Sequence, residues 1–124
     1  MRPKSETLTA QELEIMKIIW SLGQATVREV YDTLRERRTI AYTTVQTMMN
    51  ILEDKGHLKK EPGERAQLYR PVRPQQAVVR SMVREFVNRV FDGSARPLLV
   101  HLLKEKGLSE RERRALQKLL EEDA

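Results

Sequence analysis

The sequence predicts a mainly α protein with one small β hairpin. Three observations predict it. Helix-opening spacings recur along the 124 residues: Thr9 with Glu12, Thr26 with Glu29, and Ser109 with Glu112. In each, the hydroxyl can accept from the backbone N–H three residues on while the carboxylate reaches back. Residues 57–72 lose the helical period and turn at Pro62-Gly63, a strong turn signal. Beyond Pro74 the chain carries three more stretches with apolar residues at helical spacing.

Residues 1–8 read as a polar, frayed start, with Pro3 near its beginning. Leu13, Met16, Ile19 and Trp20 then share one helical face, and Gly23 sits where a left-handed cap belongs, so a first helix is expected over 10–22. Val27, Val30, Tyr31 and Leu34 give a second over 27–36, and the short link between the two forces a sharp corner. Residues 39–41, after Arg37-Arg38, read as a short extended segment. A third helix is expected over 42–55, stopping at Gly56. Val45, Met48, Met49 and Leu52 cluster on one side of it, with Tyr42 at the edge. Thr43, Gln46, Thr47, Asn50 and Asp54 cluster on the other. That outer face is short, polar and mostly uncharged, where solvated helix faces favour Glu, Lys and Arg. It reads either as a face shaped to touch something else or as a solvent face tolerant of threonine.

Residues 57–61 and 66–72 read as two strands around a turn at 62–65, with Leu58, Leu68 and Tyr69 as candidates for the packed face. His57, beside Gly56, reads as an ordinary loop histidine. A lone hairpin is marginal and must pack on the helices. Helix–helix–helix–hairpin is the order of a winged helix-turn-helix domain, expected over 1–73, in which the third helix enters the major groove and the hairpin is the wing.

Pro71 and Pro74 stiffen the joint that follows. A fourth helix is expected over 75–92, with Val79, Met82, Val83, Phe86 and Val90 as its main stripe and Val78, Val87 and Phe91 widening it. Gly93-Ser94 ends it. A fifth begins near Pro97, a favoured first-turn proline, and carries Leu98, Leu99, Val100, Leu102 and Leu103 before Gly107. The sixth starts at Ser109, packs through Ala115, Leu116, Leu119 and Leu120, and runs into Glu121-Glu122-Asp123. Burying each large apolar side chain is worth ~1.5–3 kcal/mol. Three such helices cannot bury themselves in so small a unit. A second copy of the chain is the economical cover, so residues 74–124 read as a C-terminal three-helix dimerisation domain. Folding back onto the first domain is the alternative.

Composition excludes several function classes. There is no cysteine, hence no disulfide, thiolate metal site or cysteine nucleophile. The two histidines, His57 and His101, are far apart, so no metal site or cofactor is expected. There is no phosphate loop, no HExxH and no G-x-S-x-G, so the protein is not expected to be an enzyme. No apolar run approaches the ~20 residues that span a bilayer, and no signal pattern opens the chain, so a cytoplasmic protein without membrane insertion is expected. The formal net charge of +5 makes an anionic partner plausible, nucleic acid above all. Residues 1–70 hold 12 Lys+Arg against 10 Asp+Glu, and residues 71–124 hold 11 against 8, so the basic excess does not single out one half.

Specific motifs go further. Leu8-Thr9 through Trp20, then Thr26-Val27-Arg28-Glu29-Val30, and above all Ala41-Tyr42-Thr43-Thr44-Val45-Gln46-Thr47-Met48-Met49 with Leu52 and Lys55-Gly56, resemble the bacterial penicillinase-repressor family (BlaI/MecI, with a copper-responsive CopY branch). Residues 65–69, Phe86-Val87-Asn88-Arg89-Val90-Phe91 and 98–103 fit the family's wing and C-terminal domain. The resemblance implies a homodimeric winged-helix repressor bound to a palindromic, double-stranded operator. It also implies, as in the best-known branch, a membrane-embedded zinc metalloprotease sensor whose signal leads to cleavage of the repressor. The family cuts typically at an Asn-Phe bond, and the surrounding pattern aligns that bond with His101-Leu102 here, a departure from Asn-Phe. Without cysteine, thiolate copper sensing does not apply.

On this reading, Tyr42, Thr43, Thr44, Gln46, Thr47 and Asn50 of the third helix reach phosphates or base edges. Gln46 and Asn50 have the groups to pair with adenine, and the threonine methyls to pack on thymine. Arg28, Lys59, Lys60 and Arg65 contact phosphates and set register. The one cation on the third helix's outer side is Lys55, near its end. The rival expectation is a winged-helix protein–protein interaction module without sequence-specific DNA binding. DNA binding is salt-steep and the rival is not.

Overall fold

The structure, a computed structural model, describes residues 8–122. The expected start at 1–7, Pro3 included, and Asp123 lie outside the described residues. The elements are α1 (Ala10–Leu22), α2 (Val27–Arg35), α3 (Tyr42–Asp54), β1 (Leu58–Pro62), β2 (Gln67–Pro71), α4 (Gln75–Phe91), α5 (Arg96–Lys104) and α6 (Glu110–Glu122). Each lies within about two residues of its expected bounds, the usual latitude of helix and strand ends.

Local chemistry starts the helices. At α1 the Thr9 hydroxyl accepts from the Glu12 N–H at 3.1 Å, and the Glu12 carboxylate accepts from the Thr9 N–H at 2.9 Å. Thr26 with Glu29, and Ser109 with Glu112, repeat the same two bonds. Leu8 is not frayed: it is buried, one position before the cap, with Leu13 packed four positions into the helix. That is a hydrophobic staple, a single apolar residue that a polar-tail reading overlooks.

The described residues form two compact units, one through Met82 and one from Val83. In the first, α1, α2 and α3 bury Ile15, Met16, Ile19, Val30, Leu34, Val45, Met49 and Leu52, each 1% exposed or less. Val78 of α4 is buried in the same core and Met82 packs against it, so the opening turns of α4 belong to this unit. The Trp20 indole N–H donates to the Arg73 carbonyl at 3.0 Å, tying the joint before α4 to α1.

β1 and β2 pair antiparallel, with Leu58 opposite Pro71 and Lys60 opposite Tyr69. Ala25, between α1 and α2, adds a third extended piece through two backbone bonds with Tyr69, at 2.8 and 3.0 Å. The expected packed face of Leu58, Leu68 and Tyr69 divides. Leu58 and Tyr69 are buried in the core, but Leu68, next to Tyr69 along the strand, necessarily faces the other way. It lies over the turn beside Gly63. His57 is likewise buried rather than a free loop residue, with its backbone bonded to Leu52 and Val72.

The wing turn needs glycine at 63. A Cβ there would stand 2.4 Å from the Ala66 carbonyl oxygen and 3.1 Å from Leu68 Cγ. The first neighbour is backbone in a tight turn, with the Gly63 N–H donating to that same carbonyl at 3.0 Å. Gly63→Ala is therefore expected to cost about 1–3 kcal/mol. A depressed midpoint in thermal unfolding checks it, and an unchanged one contradicts the tight turn.

A buried ion pair closes the far end of α3. Glu12 is 5% exposed and its carboxylate meets Lys55 Nζ at 2.9 Å. Burial is the largest single influence on Glu12 and pushes its pKa up. The Thr9 N–H, Lys55 and the Thr9 hydroxyl together outweigh it and hold the carboxyl below 4.5. Glu14 is also lowered, first by its hydrogen bond from Arg38. Two carboxylates of α1 thus grip the segments on either side of α3.

In the second unit α5 packs on α6, with Arg113 donating to the Leu103 carbonyl and Arg96 to the Leu120 carbonyl at 3.2 Å. Neither helix has a buried residue. Helix α5 ends at Lys104, before Gly107, because Glu105 already turns extended. Val83, Phe86, Val90 and Leu119 are 40–51% exposed. Phe91 is half-buried, its ring centroid 5.9 Å from both Phe86 and His101.

Candidate nucleic-acid interface

Helix α3 turns Val45, Met49 and Leu52 into the core and leaves Thr43, Thr44, Gln46 and Thr47 exposed. Core packing alone thus presents the short polar face outward. Its N-terminus lacks a side-chain cap: Ala41 precedes it, in extended conformation, with no side-chain bond. The first-turn N–H groups, flanked by the Thr43 and Thr44 hydroxyls, suit an anion.

Between the start of α2, α3 and the hairpin runs a shallow groove. It brings together Arg28, Tyr42, Gln46, Asn50 and Lys60, five of the residues expected to meet DNA. Tyr42, 38% exposed, meets the Tyr31 ring edge-on at 5.4 Å. Arg28 and Arg35 lie 5.8 and 5.4 Å from the same Tyr31 ring, and Asp32 pairs with both. Arg28 is therefore held beside the groove while 65% of its side chain stays exposed. Lys59 and Arg65 are exposed on the wing.

Three side chains sit differently from a freely presented contact. Lys55 is taken into the ion pair with Glu12 and does not serve the outer face of α3. Lys60 meets Glu53 at 3.4 Å and lies 5.5 Å from the Tyr69 ring centroid. The Lys60 pKa is raised above its ordinary value, by Tyr69 first and then by Glu53. Asn50 is half-buried and its Oδ1 accepts from the Tyr69 hydroxyl at 2.8 Å. Gln67 and Tyr69 also line the groove. Neither is among the residues expected from the sequence to meet DNA. The signal was the strand's two-residue alternation, which puts 67 and 69 on one face.

The residues expected to join two copies spread unevenly. Val79, Val83, Phe86 and Val90 form an exposed stripe on α4 at helical spacing. Met82 packs instead against the first unit's core. Leu98, Leu99, Leu103, Leu116 and Leu120 are half-buried, while Leu102 and Leu119 are exposed. His101 and Leu102 lie within α5, where the bond between them is helical. No helix among the described residues is long and apolar enough to cross a membrane. Nor does any group of three or more His, Asp or Glu among them stand where it could hold a metal ion.

Comparison with known proteins gives this geometry a family. The family model described as penicillinase repressor matches residues 8–122. The penicillinase repressor of Bacillus licheniformis is 29% identical over 119 residues, covering 96% of this chain and 93% of its own. The transcriptional regulator BlaI of Mycobacterium tuberculosis is 34% identical over 112 residues, covering 87% and 81%. The solution structure of monomeric Bacillus licheniformis BlaI in complex with the blaP half-operator is 30% identical and superposes with a TM-score of 0.51, covering 61% of this chain and 92% of that one. From Leu8 to Glu122, the chain belongs to the penicillinase repressor family.

Proposed function

We propose that the protein is a transcriptional repressor that binds a palindromic double-stranded operator as a homodimer, in the cytoplasm where that DNA lies. The observation that carries this reading is the groove that gathers Arg28, Tyr42, Gln46 and Asn50 beside the exposed threonines of α3. Helix α3 enters the major groove. Thr43 and Thr44, with the uncapped first turn, hold a phosphate. Gln46, Thr47 and Asn50 face base edges. Arg28, Lys59 and Arg65 neutralise phosphates and fix register. The role is recognition, with no catalytic step.

The exposed stripe of α4, with α5 and α6, is the dimerisation surface, and two-fold symmetry sets the half-sites whole DNA turns apart. Relief of repression comes from cleavage at His101-Leu102 by a membrane-embedded zinc metalloprotease. Since that bond lies inside α5, α5 must unwind locally before a protease can take it.

The site assignment is tested by Gln46→Ala combined with Asn50→Ala. The pair is expected to lower preference for the native upstream fragment over a scrambled duplex by about thirtyfold or more, each of the two base contacts being worth at least about 1 kcal/mol. Affinity for the scrambled duplex should hardly move. Unchanged preference would assign readout to other residues.

A further inference from the structure

We infer that Tyr69 is a positioning residue for base readout: its phenol donates to the Asn50 carbonyl oxygen and so orients the amide with its N–H donors left for the DNA. The inference rests on α3 being the recognition helix.

Tyr69 is a fixed point of the wing. It is 3% exposed, and its backbone N–H and carbonyl are both bonded to Ala25, at 2.8 and 3.0 Å. Across the hairpin its register partner is Lys60. The Lys60 ammonium, anchored by Glu53 at 3.4 Å, lies 5.5 Å from the Tyr69 ring centroid. The Tyr69 hydroxyl donates to Asn50 Oδ1 at 2.8 Å.

The consequence is chemical. A free asparagine amide rotates to suit its partner, and its orientation is set by the network around it. Here Oδ1 is committed to the phenol, which leaves Nδ2 as the amide's uncommitted edge, and Asn50 lines the groove with Gln46 and Tyr42. Asn50 therefore presents two donors. It suits a base edge carrying acceptors, such as guanine O6 and N7 or thymine O4, and it opposes the N4 donor of cytosine.

The test uses the full chain, its native upstream fragment, and duplexes with each half-site base pair changed in turn. Tyr69→Phe removes the hydroxyl and keeps the buried ring, with a thermal unfolding midpoint close to wild type as the expected sign of an intact fold. Affinity for the native fragment should fall about fivefold to tenfold, the worth of one hydrogen bond. Discrimination should flatten at one base-pair position per half-site. In the Asn50→Ala background, Tyr69→Phe should change nothing further. The inference is overturned if Tyr69→Phe leaves the base-pair profile unchanged, or costs the same with and without Asn50. A wild-type protein that shows no preference for its own fragment removes the recognition reading itself. Preference that survives Tyr69→Phe intact removes this inference alone.

Discussion

Phe86→Asp is expected to produce a monomer that binds a two-half-site operator about 100-fold or more weakly, because the second half-site then loses its high effective concentration. Phe86 is 40% exposed on a stripe with Val79, Val83 and Val90, which are 38–51% exposed. A contiguous apolar face of this kind is costly in water and marks a contact surface. A carboxylate at its centre would have to be desolvated in the dimer. The winged-helix unit does not use Phe86 in its core, so binding to an isolated half-site should be preserved. Sedimentation equilibrium and titration of full and half operators separate the two effects. A persistent dimer, or full-site affinity equal to wild type, contradicts the assigned surface.

Lys55→Met carries the largest expected effect on stability. It leaves the Glu12 carboxylate, 5% exposed, without its counter-charge. Removing one partner of a buried pair costs about 3–5 kcal/mol, and the partial exposure of Lys55 places this one near about 3 kcal/mol. The sign of the pH dependence follows from the lowered pKa of Glu12. A carboxylate whose folded pKa lies below its unfolded value adds stability that is fully present above the unfolded value. That stability is lost as pH falls through the lower, folded one. Glu14, held down by Arg38, acts in the same direction. The wild-type unfolding midpoint should therefore drop on acidification below pH 4.5. In Lys55→Met, burial of Glu12 is less opposed and its pKa rises, so the drop should be shallower. Parallel acid profiles for the two proteins contradict the pair's role.

The parts of the fold that depend on neighbours three or four residues away were legible in the sequence. The three capping boxes, the glycine after α1 and the Pro-Gly turn each carry their own geometry locally, and every helix appeared near its expected bounds. What remained hidden joins residues distant in the chain. Nothing in the pattern around Lys55 points to Glu12, 43 positions away, nor does Ala25 announce a bridge to Tyr69. The interface divides along the same line. The outer face of α3 followed from its period, since Val45, Met49 and Leu52 had to turn inward. The bond from the Tyr69 phenol to Asn50 did not, because it needs the folded hairpin to bring residue 69 against α3. Leu68 and Leu8 mark two local signals, strand alternation and the staple, that were present but outweighed by a simpler reading of apolar and polar stretches.

The most direct measurement is fluorescence anisotropy of the purified protein on its own upstream DNA, across a salt series, with a scrambled duplex alongside. On the proposed dimer, Arg28, Lys59 and Arg65 from two protomers would neutralise about six phosphates, which predicts a slope of log K against log salt of about −5. Tight, salt-steep binding that prefers the native fragment is the expected result. Weak binding with a flat salt dependence and no preference between duplexes contradicts operator recognition, and assigns the polar face of α3 to a protein partner.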